Sequence, residues 1–250
     1  MHLTVLGAGP AYSDQPGSTG AAYLVRSGHS SILLDLGQGS FPALASRIEP
    51  SSLDGILVSH LHPDHFIDLV AFRHYLVYQL EPRRRVNVYA PAGLASRIDA
   101  LHAEPGFTVA AFDTVDLSPG TVEVGGFRIE VGRVTHATGS DSFGFRVRAD
   151  GDGPGLVYSG DCGMADDLLP LIHPGDALLS EVSFGPASVA PGAQHLNGSI
   201  AGDLARRSRA SRLLLTHLQM GFDRDATVAA AAEHYQGPID LVDPGFETEI

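Results

Sequence analysis

The segment that decides the fold reads His60-Leu61-His62-Pro63-Asp64-His65 and directly follows the apolar residues 56–58. Side chains two apart on an extended strand share a face, so His60 and His62 lie on the same side. Pro63 favours the first turn of a helix, which puts Asp64 and His65 one turn further on. Two such pairs suit two neighbouring metal ions better than one. The segment therefore predicts a metal site built at the end of a strand.

The composition narrows the class of protein. A chain of 250 residues with 44% hydrophobic content can bury a sizeable core. All sixteen basic residues are arginine, which excludes Schiff-base chemistry and any lysine-dependent phosphate loop. The formal net charge of -13 argues against broad electrostatic binding of nucleic acid. We therefore expect a small molecule as the partner, rather than nucleic acid.

Cysteine usage and hydropathy bear on the compartment. Cys162 is the single cysteine, so an intrachain disulfide is excluded. The first residues run directly into a strand pattern and do not resemble a signal peptide. Apolar runs are interrupted by charge or glycine well before the roughly 20 residues needed to cross a bilayer. These features predict a cytoplasmic protein with no membrane insertion.

Apolar patterning predicts the architecture. Period-2 and apolar runs bounded by glycine-rich turns indicate strands, and apolar residues at three- and four-residue spacing indicate helices. Strands and helices mix in both halves, which is typical of the α/β (α+β) class. The expected architecture is an αββα sandwich of two mixed β-sheets with helices on the outer faces. No linker interrupts the pattern, so we expect one domain over residues 1–250. Predicted strands cover 3–7, 21–25, 32–36, 56–59, 86–89, 127–134, 142–147, 155–159, 177–181, 212–216 and a short C-terminal segment; predicted helices cover 63–80, 93–101, 200–209 and 226–234.

Three more metal-capable side chains stand at the ends of predicted strands: His136, Asp161 and His217. Strand ends on one rim of a sandwich can converge. With the four side chains of residues 60–65 they make five histidines and two aspartates, a number that suits two four- or five-coordinate ions completed by a bridging water. Each histidine alone would be a weak candidate, and it is their shared context that makes the set a predicted site.

On these residues the chain resembles the metallo-β-lactamase superfamily, and within it the ribonuclease Z-like group, over essentially its whole length. The resemblance implies the metallo-β-lactamase fold, which is the sandwich predicted above. It also implies two metal ions with Asp161 bridging them. By the same resemblance His60, His62 and His136 would bind one ion, and Asp64, His65 and His217 the other.

The resemblance extends to residues beside the ligands. The segment Glu181-Val182-Ser183-Phe184 is similar to the family's Glu-x-Ser/Thr element, and His195 stands where those enzymes carry a histidine oriented by that glutamate. His195 would then protonate the leaving oxygen, and His195, Glu181 and the ligand Asp64 form the expected catalytic set. Asp35 resembles the family's aspartate that anchors a ligating histidine. Two positions depart from the family pattern. The family has Ser or Thr where this chain has Asn197, and Thr where this chain has Cys162.

The implied metals define the chemistry. Two ions about 3.5 to 4 Å apart lower the pKa of a shared water and neutralise charge that develops on an attacked phosphoryl or carbonyl group. Zinc is the default ion for a histidine-rich site with a bridging aspartate, and manganese or iron suit the same ligands. The sequence therefore predicts a dinuclear metal-dependent hydrolase.

The number of residues between His136 and Asp161 bears on the substrate. Ribonuclease Z grips transfer RNA with a long arm inserted between the positions that match His136 and Asp161, and here only 24 residues separate them. The texture of residues 5–7, 142–145, 159–161 and 215–218 is similar to actinobacterial cyclic-nucleotide phosphodiesterases of this superfamily. We expect a small phosphodiester such as cyclic AMP or a related 3′,5′-cyclic nucleotide. A lactonase or ester hydrolase on the same metals is the alternative. The absent arm argues against ribonuclease Z-like RNA processing, and the complete set of seven ligands with His195 argues against a regulatory binder without turnover.

Four other features have simpler interpretations. Gly7-Ala8-Gly9 lacks the third glycine of a dinucleotide-binding loop, because position 12 is Tyr12, and we expect it to lie near the metal centre instead. Residues 83–85 are three arginines, typical of a solvated loop. Cys162 is expected to be a small buried hydrophobe. The apolar helix over 63–80, with Tyr75 and Tyr78, offers an interface for a homodimer.

Overall fold

Two seven-stranded sheets form the body of the protein. The computed structural model describes residues 1–136, 139–149, 151 and 153–250, and within them fourteen strands occur. The strands are β1 His2–Gly7, β2 Ala22–Ser27, β3 Ser30–Leu34, β4 Gly55–Leu57, β5 Val86–Ala90, β6 Phe112–Asp116, β7 Gly120–Val124, β8 Phe127–Arg133, β9 Phe143–Ala149, β10 Leu156–Tyr158, β11 Ala177–Glu181, β12 Arg212–Thr216, β13 Ile239–Leu241 and β14 Glu247–Glu249.

Each sheet is half antiparallel and half parallel. The first has the order β14-β1-β2-β3-β4-β5-β6, and the pairs from β3 to β6 are parallel. The second has the order β13-β12-β11-β10-β9-β8-β7, and the pairs from β10 to β13 are parallel. Parallel neighbours bring their carboxyl ends to one edge of the sheet, so both sheets contribute a row of strand ends to the same rim.

The helices cover the outer faces of the two sheets. They are α1 Phe41–Arg47, α2 Pro63–Phe66, α3 Leu69–His74, α4 Leu94–His102, α5 Gly198–Ser208 and α6 Arg224–Ala232, with 3₁₀ turns at Pro50–Ser52, Thr108–Ala110 and Ala165–Leu168 and a π-helical turn at Tyr75–Gln79. The first four pack on the first sheet and the last two on the second. None of the described helices is long and apolar enough to cross a bilayer.

Three apolar layers hold this arrangement. A central layer fills the space between the sheets, and it includes Val5, Leu34, Phe145 and Leu179, all fully buried. Outer layers lie between each sheet and its helices. Strands covered on both faces need apolar residues on both, as in the run Leu213-Leu214-Leu215 of β12. The predicted αββα sandwich is confirmed; the single domain over residues 1–250 stays a prediction.

The helix predicted over residues 63–80 is wrong as one element. It is divided into α2, α3 and the π-helical turn. The break has a local cause at Asp68, whose backbone N–H donates to the carbonyl of Leu36 (3.1 Å) and whose carboxylate accepts from the N–H of Phe41 (2.8 Å). These bonds tie the chain to the loop before α1 and turn it away from the path of a continuous helix. The apolar spacing persisted across the break, so periodicity could not reveal it.

Candidate metal centre

The side chains singled out in the sequence lie together at the rim where strands end. Asp35 follows β3, residues 59–65 follow β4, and His136 follows β8. Asp161 follows β10, Glu181 ends β11 and His217 follows β12. Asp64 and His65 lie on α2, whose first residue is Pro63 and whose N-cap is His62. Two sheets therefore supply one cluster of side chains.

Two groups within this cluster could each hold a metal ion. In each group one ligand atom per residue lies within 4.8 Å of all the others. We call them the four-residue group, His60, His62, His136 and Asp161, and the three-residue group, Asp64, His65 and His217.

Asp161 lies between the two groups and offers one oxygen to each. Its Oδ2 is 3.8 Å from His60 Nε2 and 3.6 Å from His136 Nε2. Its Oδ1 is 3.4 Å from His65 Nε2 and 3.6 Å from His217 Nε2. Within the three-residue group, Asp64 Oδ2 is 3.4 Å from His217 Nε2. A carboxylate placed in this way can be shared by two ions.

Hydrogen bonds on the far side of each ring leave Nε2 of four histidines facing the cluster. Nδ1 of His65 donates to Asp35 (2.7 Å), and Nδ1 of His136 donates to the carbonyl of Gln194 (2.7 Å). The hydroxyls of Ser59 and Ser183 donate to carboxylates and so accept from Nδ1 of His60 (3.1 Å) and His217 (3.0 Å). A metal ion needs neutral rings, and in that state these bonds leave the lone pair on each Nε2.

Asp35 is the main anchor of the three-residue group. It is fully buried and accepts hydrogen bonds at 2.7 Å from His65 Nδ1, from the hydroxyl and N–H of Ser59, and from the hydroxyl of Tyr158. Asp35 has φ 58°, and His217 has φ 60°. Residues other than glycine rarely adopt this left-handed backbone conformation. The hydrogen bonds around the site hold the backbone in it despite the strain.

Two glycines fix the backbone at Asp64. A Cβ on Gly37 would lie 1.9 Å from the carbonyl oxygen of Asp64, and a Cβ on Gly20 would lie 2.6 Å from it. The same oxygen accepts the N–H of Ala21 (3.0 Å). Only residues without a side chain permit this approach. The Gly7-Ala8-Gly9 turn lies close by as expected, since the N–H of His217 donates to the carbonyl of Ala8 (2.9 Å).

The electrostatics of the cluster favour neutral imidazoles on one side and a retained charge on the other. Burial and neighbouring imidazoles lower the pKa of His60 and His62, so both are neutral near pH 7. Burial also opposes a charge on His65, but Asp161 and Asp35 outweigh it and raise the pKa of that ring. Burial likewise opposes ionisation of Asp161, but His217 and His65 hold the pKa of its carboxyl well below the usual range.

The residues fit a bound cation. Nε2 of His60 and Oδ1 of Asp161 are buried and have no hydrogen-bond partner among the described residues. An unpaired buried polar atom costs about 1–3 kcal/mol, so such atoms normally have a partner. Imidazole nitrogens and carboxylate oxygens are the donors of zinc and related divalent ions. A cation in the four-residue group would satisfy His60 Nε2, and a cation in the three-residue group would satisfy Asp161 Oδ1, which faces His65 and His217.

Glu181 and His195 form a second arrangement beside this cluster. Glu181 is buried and accepts from His195 Nδ1 (3.1 Å), from the N–H of Cys162 (3.2 Å) and from the N–H of Leu196 (3.0 Å). Because a carboxylate can only accept, Nδ1 of His195 carries the proton in this bond. Burial lowers the pKa of His195, but the Glu181 bond and charge outweigh it, and the net shift is upward.

The departures from the family pattern have local roles. Asn197 is the N-cap of α5, and its Oδ1 accepts from the N–H of Ile200 (2.8 Å). Cys162 is buried, its thiol donates to the carbonyl of Met164 (3.2 Å), and burial raises its pKa to about 12. Arg85 of the arginine run pairs with Asp113 (2.6 Å) on the surface.

Sequence reasoning missed the hydroxyls that orient the cluster. Ser59, Tyr158 and the role of Ser183 towards His217 were not predicted. Ser59 precedes His60 directly, and Tyr158 lies three residues before Asp161 at the end of an apolar strand. The available signal was a hydroxyl at the buried end of a strand that leads into the site.

Comparisons with known proteins agree with this fold. The profile of the beta-lactamase superfamily domain matches residues 32–218. An uncharacterised protein of Mycobacterium tuberculosis (strain ATCC 25618 / H37Rv) is 32% identical over 260 residues, covering 99% of this chain and 92% of the relative. The probable metallo-hydrolase YhfI of Bacillus subtilis (strain 168) is 26% identical over 254 residues, covering 100% of both chains.

Solved structures give the same result. The crystal structure of YhfI from Bacillus subtilis superposes with a TM-score of 0.86 at 24% identity and covers 99% of this chain and 98% of that one. The short form of human tRNase Z superposes with a TM-score of 0.78 at 23% identity and covers 100% and 99%. At these identities the likeness concerns the fold.

Proposed function

The chain belongs to the metallo-β-lactamase superfamily and is a metallo-hydrolase of that fold. From that premise we propose that it is a dinuclear phosphodiesterase. Its proposed substrate is a small phosphodiester such as a 3′,5′-cyclic nucleotide. The observation that carries the proposal is Asp161, which offers one oxygen to each of two groups of metal-binding side chains.

The proposed ligands are those of the two groups. The four-residue group would hold one divalent ion and the three-residue group the other, with Asp161 shared, and zinc is the proposed metal. When bound, two such ions supply an activated water and neutralise negative charge on the attacked phosphoryl group. The four Nε2 atoms that face the cluster support this assignment.

His195 is the proposed general acid. Its Nδ1 is held by Glu181, so Nε2 is the ring nitrogen left for the substrate. The ring is partly exposed, with 18% of the side chain accessible, and lies beside His136 and His217. A donor in that place would protonate the departing oxygen, while Glu181 fixes its tautomer and favours the protonated ring.

A small phosphodiester suits this chain better than RNA. The formal net charge of -13 opposes a polyanion, and the span of 24 residues between His136 and Asp161 leaves no room for a long RNA-binding arm. The likeness to tRNase Z supports phosphodiester chemistry on this fold. A single phosphodiester group would meet the metals without the cost of bringing further phosphates to an acidic surface.

Metal analysis tests the first part of the proposal. The purified protein should carry about two equivalents of divalent transition metal, and a chelator should remove activity and lower the unfolding temperature. Less than one equivalent, together with stability and activity indifferent to the chelator, would contradict the dinuclear assignment.

A substrate panel tests the second part. It consists of bis-p-nitrophenyl phosphate, cyclic AMP, cyclic GMP, precursor transfer RNA and an acyl-homoserine lactone. We expect turnover of the first three, with a cyclic nucleotide having the highest kcat/KM. Lactone turnover without phosphodiester turnover would replace the proposal by an ester hydrolase. Preference for the precursor RNA would replace it by RNA processing.

A further inference from the structure

A cavity opens beside the candidate metal centre, on the side of His217. It encloses about 350 Å³ between the loop of residues 8–18, the loop of residues 217–224 and residues 241–244. Sites for small molecules commonly enclose ~300–1,000 Å³, so this volume suits one small organic group. Because His217 lines both the cavity and the cluster, a substrate with its phosphate at the metals can extend one arm into this space.

The charges on the wall are acidic. Asp14, Asp243 and Arg224 line the cavity, and the guanidinium of Arg224 donates to the carboxylate of Asp243 (2.6 Å). That arginine is therefore matched, whereas none of the described residues forms an ion pair with Asp14. The wall as a whole opposes a second phosphate and accepts hydrogen bonds from hydroxyl, amino and imide groups.

One aromatic ring lines the same space. Phe222 is half-buried, and a Cβ placed on Gly185 would lie 2.7 Å from its Cβ and Cγ. Gly185 has φ 50°, a conformation that favours glycine, so the chain brings its backbone close behind Phe222. A ring supported in this way loses little freedom when a flat group stacks on it.

We infer that this cavity binds the nucleoside part of a mononucleotide substrate, with Phe222 as the stacking face and Asp14 as a hydrogen-bond acceptor. The inference rests on the proposed phosphodiesterase and names the feature that selects its substrate. A nucleoside supplies a flat ring and several donors without charge. An RNA chain would place its next phosphate near Asp14, and a short aliphatic ester would leave Phe222 uncovered.

Two chromogenic substrates with one leaving group isolate this cavity. Thymidine 5′-(p-nitrophenyl phosphate) and methyl p-nitrophenyl phosphate differ only in the arm that remains on the phosphate. The ratio of their kcat/KM values is the nucleoside preference. Phe222→Ala should lower that ratio about tenfold, because base stacking on an aromatic ring commonly contributes that much. Phe222→Leu should lower it by a similar factor and guards against a misfolded alanine variant.

The acidic wall has its own measurement. Thymidine 3′-phosphate 5′-(p-nitrophenyl phosphate) adds a second phosphate to the nucleoside arm. The unmodified protein should turn it over less efficiently than the thymidine substrate, and Asp14→Asn should narrow this gap about threefold, since one negative charge is removed from the wall. Matched controls are Tyr12→Ala, an exposed aromatic of the same loop that does not line the cavity, and Asp113→Asn, an exposed carboxylate on β6 that does not line it. Both should leave the ratios unchanged.

The outcomes separate the two proposals. Turnover of none of these phosphodiesters overturns the proposed function itself. Turnover of the methyl substrate with no nucleoside preference, or with a preference that Phe222 and Asp14 variants leave intact, overturns the assignment of the cavity. Equal losses in the Tyr12 and Asp113 controls would also overturn it.

Discussion

The two donor groups of the candidate metal centre differ in how their side chains are held. In the three-residue group, His65 donates to the buried Asp35, His217 is tied to Ser183, and the backbone of Asp64 is enclosed by Gly20 and Gly37. In the four-residue group His60 is also buried and held by Ser59, but His62 is exposed and His136 is held by the carbonyl of an exposed residue, Gln194.

The two groups therefore differ in the rigidity of their side chains as well as in the number of donors. A ligand fixed by a buried carboxylate keeps its orientation without metal, whereas an exposed imidazole must be ordered when the ion binds. We therefore expect the ion of the three-residue group to be held through preorganisation and the ion of the four-residue group to exchange more readily with a chelator.

Removing the residue that both groups share should have the largest effect. In Asp161→Asn an amide replaces the carboxylate that offers an oxygen to each group, so the charge of both sites falls. We expect the affinity for both metal ions to fall. Turnover of bis-p-nitrophenyl phosphate should fall about 10³-fold, which corresponds to roughly 4 kcal/mol in activation free energy. Metal content by mass spectrometry and kcat measure this. Loss of one equivalent alone would show that Asp161 is not shared.

His195→Ala should lower turnover without touching either group. The ring is held by Glu181 and is not among the proposed ligands. We expect metal content to stay at the level of the unmodified protein and kcat to fall about 100-fold, as for loss of a general acid. His173→Ala, an exposed histidine away from the cluster, is the matched control. Full activity in the His195 variant would remove this residue from the mechanism.

The sequence predicted the sandwich and brought the right side chains to one rim because both depend on short-range patterns. A strand end places its next side chains at the sheet edge whatever the distant sequence does. His60, Asp161 and His217 could therefore be linked to the ends of β4, β10 and β12 before any contact was known. Their assignment to particular ions came from the family resemblance and stays a prediction.

The partners of these side chains could not be predicted in the same way. Tyr158 reaches Asp35 across 123 positions of the sequence, and that contact depends on how the two sheets pack. The division of the helix over 63–80 likewise depends on Asp68 contacting the carbonyl of Leu36. Periodicity is blind to such contacts, because it records which face of an element is apolar and not what lies opposite.

Asp35→Asn tests whether the three-residue group is the preorganised one. An amide can still pair with Ser59, but it no longer offers the charge that holds His65. We expect metal affinity to fall about 10- to 100-fold for one equivalent, which is the usual effect of losing such a partner. The protein is first made metal-free with a chelator that is then removed. Calorimetric titration with zinc resolves the binding of the two equivalents.

His62→Ala is the counterpart in the four-residue group, and it should weaken the other equivalent. If both variants weaken the same equivalent, the contrast between the groups is wrong.

The smallest and sharpest test removes one hydroxyl. Tyr158 and Tyr23 are both buried, with ring centroids 4.9 Å apart, and each makes a hydrogen bond of 2.7 Å, Tyr158 to Asp35 and Tyr23 to Thr216. Either change to Phe should lower the free energy of unfolding of the chelated protein by about 1 kcal/mol, because one buried bond is lost in each. Only Tyr158→Phe should also weaken zinc binding, since its partner Asp35 holds His65 whereas Thr216 bonds no imidazole among the described residues. Denaturant unfolding and zinc titration measure the two effects, and equal zinc affinities would mean that the Tyr158 bond stabilises the fold without orienting the three-residue group.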